Sequence, residues 1–366
     1  MERLIILTDS DSRLLVSITD LKNYTSMDVN KIRIYFETNN FKVDVFKFYE
    51  LDLANNYSGI YFLYQTSEAP GSFYKKYIED IIFFLEKQGA IVLPKYEYLK
   101  AHHNKVYMEM MRTRFSDDSL KTIKSKCFGS WKDALNFETN FPVVVKLASG
   151  AGSSGVFLIK DKKDYSKCIK EKGRLIYSDN LVTLLIGFTK NVIKTLKRKI
   201  SPLSSGYLKN SNLSFSKSMV VQTFIDGLKG DYKVLIFGNR YYILYRKNRD
   251  NDFRASGSGK LYEVAENEHE GLLNFARKIT FEIDFPILGI DIGYDMKEYH
   301  LIEFQMIHIG PYTLQSSNYW YEFQNGKWIR FNGVSDLEKE FSRSIHNFII
   351  KKDQSNPILI PKNSKL

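Results

Sequence analysis

Two strings in this sequence combine residue types and spacings that can do chemistry. The first runs from Phe141 to Val156 and reads FPVVVKLASGAGSSGV, so that an apolar strand delivers Lys146 beside a turn holding Gly150, Gly152 and Gly155. Glycines let backbone N–H groups come close to anionic oxygens. The hydroxyls of Ser153 and Ser154 add donors and Lys146 adds a fixed cation, which together suit phosphate groups. An ordinary glycine-rich hairpin turn has the same composition. The string lacks the Gly-Lys-Ser/Thr ending of a P-loop and does not follow the first strand, which argues against that fold and against dinucleotide binding.

The second string is Leu288 to Gly293, LGIDIG, with Leu301 to Gln305, LIEFQ. Strand alternation sends Glu303 and Gln305 to one face, and Asp291 lies twelve residues before Glu303 on the neighbouring strand. Two carboxylates and an amide oxygen converging from adjacent strands make a hard-oxygen set that suits magnesium bridging nucleotide phosphates, with manganese as the alternative ion. The competing reading is a pair of solvated strand-end acids. Both acids, however, are set within apolar runs, where an unpaired charge is costly.

Between the two strings stand Val221-Gln222-Thr223-Phe224-Ile225, then Asp231, then Tyr245-Arg246, then Asn251 to Lys260, NDFRASGSGK. The order of a glycine-loop lysine, a QxFI hinge, an acid soon after it, a DFR-small-small segment and a D…ExQ ending resembles the ATP-grasp superfamily, especially glutathione synthetase and the ribosomal-protein glutamate ligases. The likeness covers about residues 102 to 314, and the first hundred residues match the superfamily's N-terminal domain less specifically.

That resemblance implies ATP held with magnesium between two α/β lobes. It implies that the backbone of Gln222, Thr223, Phe224 and Ile225 meets adenine, that Asp231 meets ribose, and that Lys105 and Lys146 hold phosphates, with Gly152, Ser153 and Ser154 in the loop over them. Arg246 and Arg254 would face the γ-phosphate and an acyl phosphate, where a planar fork of donors stabilises charge moving between oxygens. Ser256, Gly257 and Ser258 form an anion-cradling turn on this reading, and His308, within HIGPYT, borders the substrate. A surface lysine, surface salt bridges and a packed histidine are the plainer readings of Lys105, the two arginines and His308. Two departures from the superfamily stand out: Gln305 replaces the usual Asn, which shifts the amide oxygen by a methylene, and Lys233 replaces a common Arg, which loses bidentate binding.

The elements that must position these residues form an α/β chain, with an ATP-grasp fold behind a Rossmann-like parallel-sheet domain as the expected class. Strands are expected at Leu4–Leu7, Val43–Phe48, Ile60–Tyr64 and Ala90–Leu93, with a helix over Phe73–Lys87 whose apolar residues recur at helical spacing. A helix follows from His102 to Arg114, then a hairpin of Phe141–Lys146 and Val156–Lys160. Strands resume at Met219–Ile225, Asp231–Phe237, Arg240–Arg246, Leu288–Tyr294 and Tyr299–Gln305, and Phe275–Ile283 reads as helical. The expected domains are 1–101, an N-terminal α/β domain; 102–218, a central lid with a basic helical insertion at about 171–218; 219–350, a metal-bearing C-terminal part; and a tail at 351–366.

Composition narrows the class further. The net charge of +11 is concentrated: from Leu181 to Lys217 there are seven basic residues and no acid, and without them the excess is +4. A phosphate-rich substrate explains that balance as well as nucleic acid does, and nucleic acid is not expected as a partner. The cationic, amphipathic run 181–200 could instead dock on an anionic membrane surface or pack on its own protein. Despite 24 Tyr and 26 Phe, no apolar run reaches the roughly 18 residues of a spanning helix, and the start has no secretion-signal order, so a cytoplasmic location is expected. Cys127 and Cys168 fit neither a disulfide framework nor a zinc site. The expected reaction joins a carboxylate to an amine on a small molecule, peptide or glycan, through an acyl phosphate and with ADP as product. A kinase with a hydroxyl acceptor and a non-catalytic nucleotide-binding protein are the alternatives.

Overall fold

The first strand has an unbroken apolar run because both its faces are covered there: β1 (Glu2–Thr8) buries Leu4 through Leu7 completely. A computed structural model describes residues 2–18, 24–66, 73–150, 155–174 and 216–355 of the chain. Its contacts divide the chain into two compact units. One comprises Met1–His102, Met111–Thr122 and Asp226–Leu366, the other His103–Met110 and Ile123–Ile225.

In the first unit, β1 is followed by a small hairpin, β2 (Leu14–Ile18) and β3 (Tyr24–Met27), and by α1 (Val29–Thr38), capped by the Asp28 carboxylate on the Asn30 and Lys31 N–H groups. Then come β4 (Phe41–Lys47), β5 (Tyr61–Tyr64), α2 (Phe73–Lys87), β6 (Ile91–Leu93) and α3 (Tyr96–Ala101). The strands β4-β1-β5-β6 form a parallel sheet. Helix α2 buries Ile78, Ile81, Ile82 and Leu85 against Ile5, Leu7, Phe62 and Tyr64, while Tyr77 and Phe84, which the apolar spacing also put on the inner face, are exposed.

The second unit is built on β7 (Ser125–Phe128), β8 (Val143–Leu147), β9 (Val156–Ile159) and β10 (Met219–Thr223), an antiparallel sheet ordered β7-β10-β8-β9. Helix α4 (Lys105–Thr113) precedes it, and α5 (Trp131–Leu135) and α6 (Lys162–Lys172) accompany it. Alternation divides the sheet into two faces. Val143, Val145, Met219, Val221 and Phe128 pack with Tyr165, Cys168 and Ile169 of α6, while Ser125, Val144, Lys146, Val220 and Gln222 take the opposite face. The expected helix over His102–Arg114 starts later: His103 adopts φ +52°, and the Asn104 side chain accepts from the Tyr107 N–H at 3.2 Å, so the helix begins at Lys105. Strand β8 starts at Val143 because Pro142 has no N–H to give the ladder.

The remainder of the first unit is a larger sheet with β11 (Gly230–Phe237), β12 (Arg240–Lys247), β13 (Leu261–Tyr262), β14 (Ile287–Tyr294), β15 (Tyr299–Gln305), β16 (Tyr319–Gln324) and β17 (Lys327–Asn332). Their order is β15-β14-β11-β12-β16-β17, with β13 on β12, and every pairing is antiparallel. Helices α7 (His269–Ile279), α8 (Tyr312–Ser316) and α9 (Leu337–Ser355) complete it. Helix α7 lies earlier than the expected Phe275–Ile283, ending where Thr280 turns its hydroxyl back onto the Arg277 carbonyl at 2.7 Å. The hairpin β16–β17 and the helices α1 and α9 have no counterpart in the sequence reading.

Candidate active-site residues

Register places the charged residues of the large sheet side by side. Asp231 of β11 opposes Arg246 of β12, Lys233 opposes Asp291 of β14, and Asp291 opposes Glu303 of β15. Directly opposed residues of antiparallel strands share a face, so these five and Gln305, two residues beyond Glu303, share one. A Cβ on Gly230 would run into the Arg246 carbonyl oxygen, so glycine is needed where β11 and β12 close on each other next to the Asp231–Arg246 pair.

The ion pairs on this face are close. Arg246 holds Asp231 with two bonds, Nε to Oδ1 at 2.6 Å and Nη2 to Oδ2 at 2.9 Å, and its Nη2 also lies 2.8 Å from Asp291 Oδ2. Lys233 Nζ sits 3.0 Å from Asp291 Oδ1. All four side chains are at most 15% exposed, so water screens them little. Burial opposes ionisation of Asp291, but Arg246 and Lys233 outweigh it and bring its carboxyl down to about 2. Asp231 moves the other way, to about 6, because burial outweighs Arg246 and the nearby Asp291 charge adds to it. Glu303 makes no hydrogen bond or ion pair among the described residues, and the Gln305 amide donates to the His308 carbonyl at 3.5 Å.

One contributor was not legible in the sequence. Between Asp291 and Ile292 the register of β14 on β15 shifts, leaving Ile302 as the extra residue of a bulge. Arg112, 3% exposed, donates to the carbonyls of Leu301 and Ile302, the latter at 3.0 Å. It thereby stabilises the irregularity that sets how Asp291 and Glu303 meet. Its only sequence signal is a basic residue on the buried side of an amphipathic helix.

In the second unit Lys146 and Gln222 are both buried, and Gln222 Nε2 has no partner among the described residues. Lys105 is 8% exposed, its N–H donates to the Ala148 carbonyl at 2.9 Å, and its Nζ donates to the Gly150 carbonyl at 2.8 Å. The helix-starting lysine and the first glycine of the turn are thus joined directly. Ser125 Oγ, on the face of Lys146 and Gln222, donates to Glu109 of α4 at 2.9 Å. Thr223 ends β10 and its hydroxyl accepts from the Lys124 N–H at 3.2 Å, while Phe224 and Ile225 follow, half-buried. Gly152, Ser153 and Ser154, and the run 181–200, lie outside the described residues.

The segment Asn251–Lys260 folds on itself. Arg254 grips Asp252, Nε at 2.9 Å from Oδ1 and Nη2 at 2.6 Å from Oδ2, and that bond holds the Asp252 carboxyl below the usual range. Arg249 Nη2 caps the Ser256 carbonyl at 2.5 Å, Ser258 N–H reaches the Ala255 carbonyl at 3.0 Å, and Gly257 takes φ +71°. His308 is buried at φ +54°; its N–H donates to Gln65 Oε1 at 3.0 Å and its ring lies 5.7 Å from that of His102.

The oxygen chemistry of Asp291, Glu303 and Gln305 on one face suits a hard divalent ion, although the Asp291 carboxylate is already neutralised by two protein cations. Among the described residues there is no cluster of three His, Cys, Asp or Glu side chains placed to hold a metal, and no helix long and apolar enough to cross a membrane.

No protein-family model matches the sequence, and a search of curated proteins finds no match. Solved structures do resemble it. One is a RimK domain ATP-grasp protein from Sphaerobacter thermophilus DSM 20745, at 9% identity and TM-score 0.47 over 95% of this chain and 99% of that one. Another is the D-alanine–D-alanine ligase of Bacillus anthracis, at 12% identity and TM-score 0.47 over 98% and 99%. A third is a RiPP-associated ATP-grasp ligase from Chryseobacterium gregarium in complex with ADP and a leader and core peptide, at 13% identity and TM-score 0.49 over 96% and 97%.

Proposed function

We propose that this protein is an ATP- and magnesium-dependent ligase that joins a carboxylate to an amine, releasing ADP. The observation that carries the reading is the common face of Asp231, Lys233, Arg246, Asp291, Glu303 and Gln305, built from four adjacent strands in the chain order that the ATP-grasp resemblance calls for. Support from the second unit is the pair of buried lysines, Lys105 and Lys146, with Lys105 tied to the glycine turn.

In this reading the substrate carboxylate attacks the γ-phosphorus of ATP. The bond to the bridging oxygen breaks, ADP leaves, and the amine then displaces phosphate from the acyl phosphate with loss of a proton to give the amide. Lys105 and Lys146 bind phosphate oxygens, and the hinge backbone from Gln222 to Ile225 lies against adenine. Asp231 is kept for ribose, and its grip on Arg246 orients that guanidinium for charge that develops on transferred oxygens. Arg254 and the turn of Ser256, Gly257 and Ser258 receive the anionic end of the reacting group, and His308 borders the acceptor. Glu303, Gln305 and Asp291 would hold magnesium, or manganese in its place, which supplies charge neutralisation when bound. The domain limits at 101, 218 and 350 and a cytoplasmic location belong to the same reading.

The test is a screen of acid and amine pools for paired ADP release and product mass. An amine-dependent mass gain with stoichiometric ADP is expected, abolished in Glu303→Ala and reduced in Lys146→Met. A phosphorylated product formed without any amine would turn the reading to a kinase. Tight ATP binding with no ADP release from any pool would turn it to a nucleotide-binding protein.

A further inference from the structure

Around Asp291 the charged face of the large sheet gathers three carboxylates, Asp231, Asp291 and Glu303, and two cations, Lys233 and Arg246, which leaves this cluster one negative charge in excess. The excess is not evenly shared. Asp291 gives one oxygen to Lys233 Nζ at 3.0 Å and the other to Arg246 Nη2 at 2.8 Å, while Glu303, directly opposite it on β15, makes no ion pair among the described residues. The two cations are also held differently. Arg246 is locked by two bonds to Asp231, whereas Lys233 pairs with Asp291 alone among the described residues. An ammonium on a four-carbon stem can swing away from a carboxylate; a guanidinium doubly bound to a second acid cannot move without breaking both bonds.

An ammonium and a divalent ion compete for the same lone pairs. Lys233 approaches Asp291 from β11 and Glu303 flanks it from β15, so a cation using both acids meets the Lys233 charge at Oδ1. The two partners are 13% and 14% exposed, which makes the pair strong enough to matter in that competition.

We propose that Lys233 is the resident counter-cation of Asp291 and sets the divalent-cation affinity of this face: an incoming ion binds first to Glu303 and Gln305 and gains Asp291 only when Lys233 leaves Oδ1. This rests on the metal reading given above. It has a consequence that the reading alone lacks, namely that deleting a positive charge from the protein should tighten, not weaken, binding of a metal ion.

The experiment is Mn2+ binding to the nucleotide-free full-length chain, followed by the loss of the free-ion electron paramagnetic resonance signal, in wild type, Lys233→Met, Lys233→Arg and Glu303→Gln. Lys233→Met is expected to bind Mn2+ at least tenfold more tightly than wild type, Lys233→Arg no more tightly, and Glu303→Gln more weakly. Where Lys233→Met does not fold, as judged by its melting transition, Lys233→Gln replaces the charge with a neutral donor and carries the same expectation. Unchanged affinity in Lys233→Met with loss in Glu303→Gln would overturn the role of Lys233 and leave the metal reading standing. No Mn2+ binding in any variant, with or without ATP, would overturn both.

Discussion

On the large sheet, Lys233 and Arg246 spend their charge on the carboxylates of Asp231 and Asp291, whereas in the second unit Lys105 is steadied by the backbone carbonyl of Gly150 and no carboxylate pairs with it among the described residues. Both arrangements hold buried or nearly buried cations, but they leave different amounts of charge for a ligand. A carbonyl fixes an ammonium through a partial charge and leaves the site cationic, which suits an incoming phosphate. A carboxylate fixes it by neutralisation, which builds a stiff, ordered face and gives up most of the attraction for an anion. On the proposed function, the large-sheet face is then a scaffold whose acids can exchange partners, and the Lys105 site one that receives anions.

Four substitutions probe these contacts, Arg246→Met expected to have the greatest effect and Gly257→Ala the least. Arg246→Met removes the shared partner of two buried acids and should cost about 3–5 kcal/mol in urea unfolding, since each carboxylate is left without its main counter-charge. A loss under about 1 kcal/mol would show that Arg246 is not the anchor of the face. Lys105→Met should keep the fold but lower ATP affinity by about ten- to a hundredfold in calorimetric titration, the loss expected for one to two charge-assisted bonds. Unchanged affinity would mean that this lysine serves the glycine turn alone.

The third concerns acid. Asp291 is depressed to about 2 in the folded protein, against about 4 in an unfolded chain, so it contributes stability that is present above about pH 4 and lost as pH falls toward 2. That contribution is about 2 kcal/mol. Asp291→Asn should flatten the decline of stability over that window, and an unaltered acid limb would place the dependence elsewhere. The smallest effect belongs to Gly257→Ala. At φ +71°, with the new Cβ 2.7 Å from Arg249 Nη2, it should cost about 1 kcal/mol and loosen the Arg249 cap on Ser256, seen as faster amide exchange within 255–260.

Much of the framework was readable because it rests on periodicity. The helix Phe73–Lys87 coincides with its apolar spacing, and β1, β4, β5 and β6 lie within a residue or two of their apolar runs. The hairpin of β8 and β9 follows from two apolar runs separated by glycines. Elements without a clean period were missed. The strand Lys327–Asn332 is an exposed edge with mixed residues, and α9 interleaves its apolar positions with charges such as Glu340 and Arg343, which pair with each other at 2.9 Å. Helix starts were misjudged where a single cap decides them, as at Asn104.

Strand alternation alone put Glu303 and Gln305 on one face, and residue chemistry alone marked Asp291, Arg246 and the two lysines as groups that would not be idle. Pairing was beyond it. That Asp291 stands between Lys233 and Glu303, that Arg246 bridges two acids, and that Arg112 holds the neighbouring bulge are consequences of which strands lie adjacent and in what register. A strand's period acts over two residues and is written locally. The cross-strand ion pairs of this face join partners 15 to 58 positions apart in the chain, Asp231 with Arg246 and Lys233 with Asp291 at the two extremes, and only the folded sheet brings such groups within 3 Å of one another.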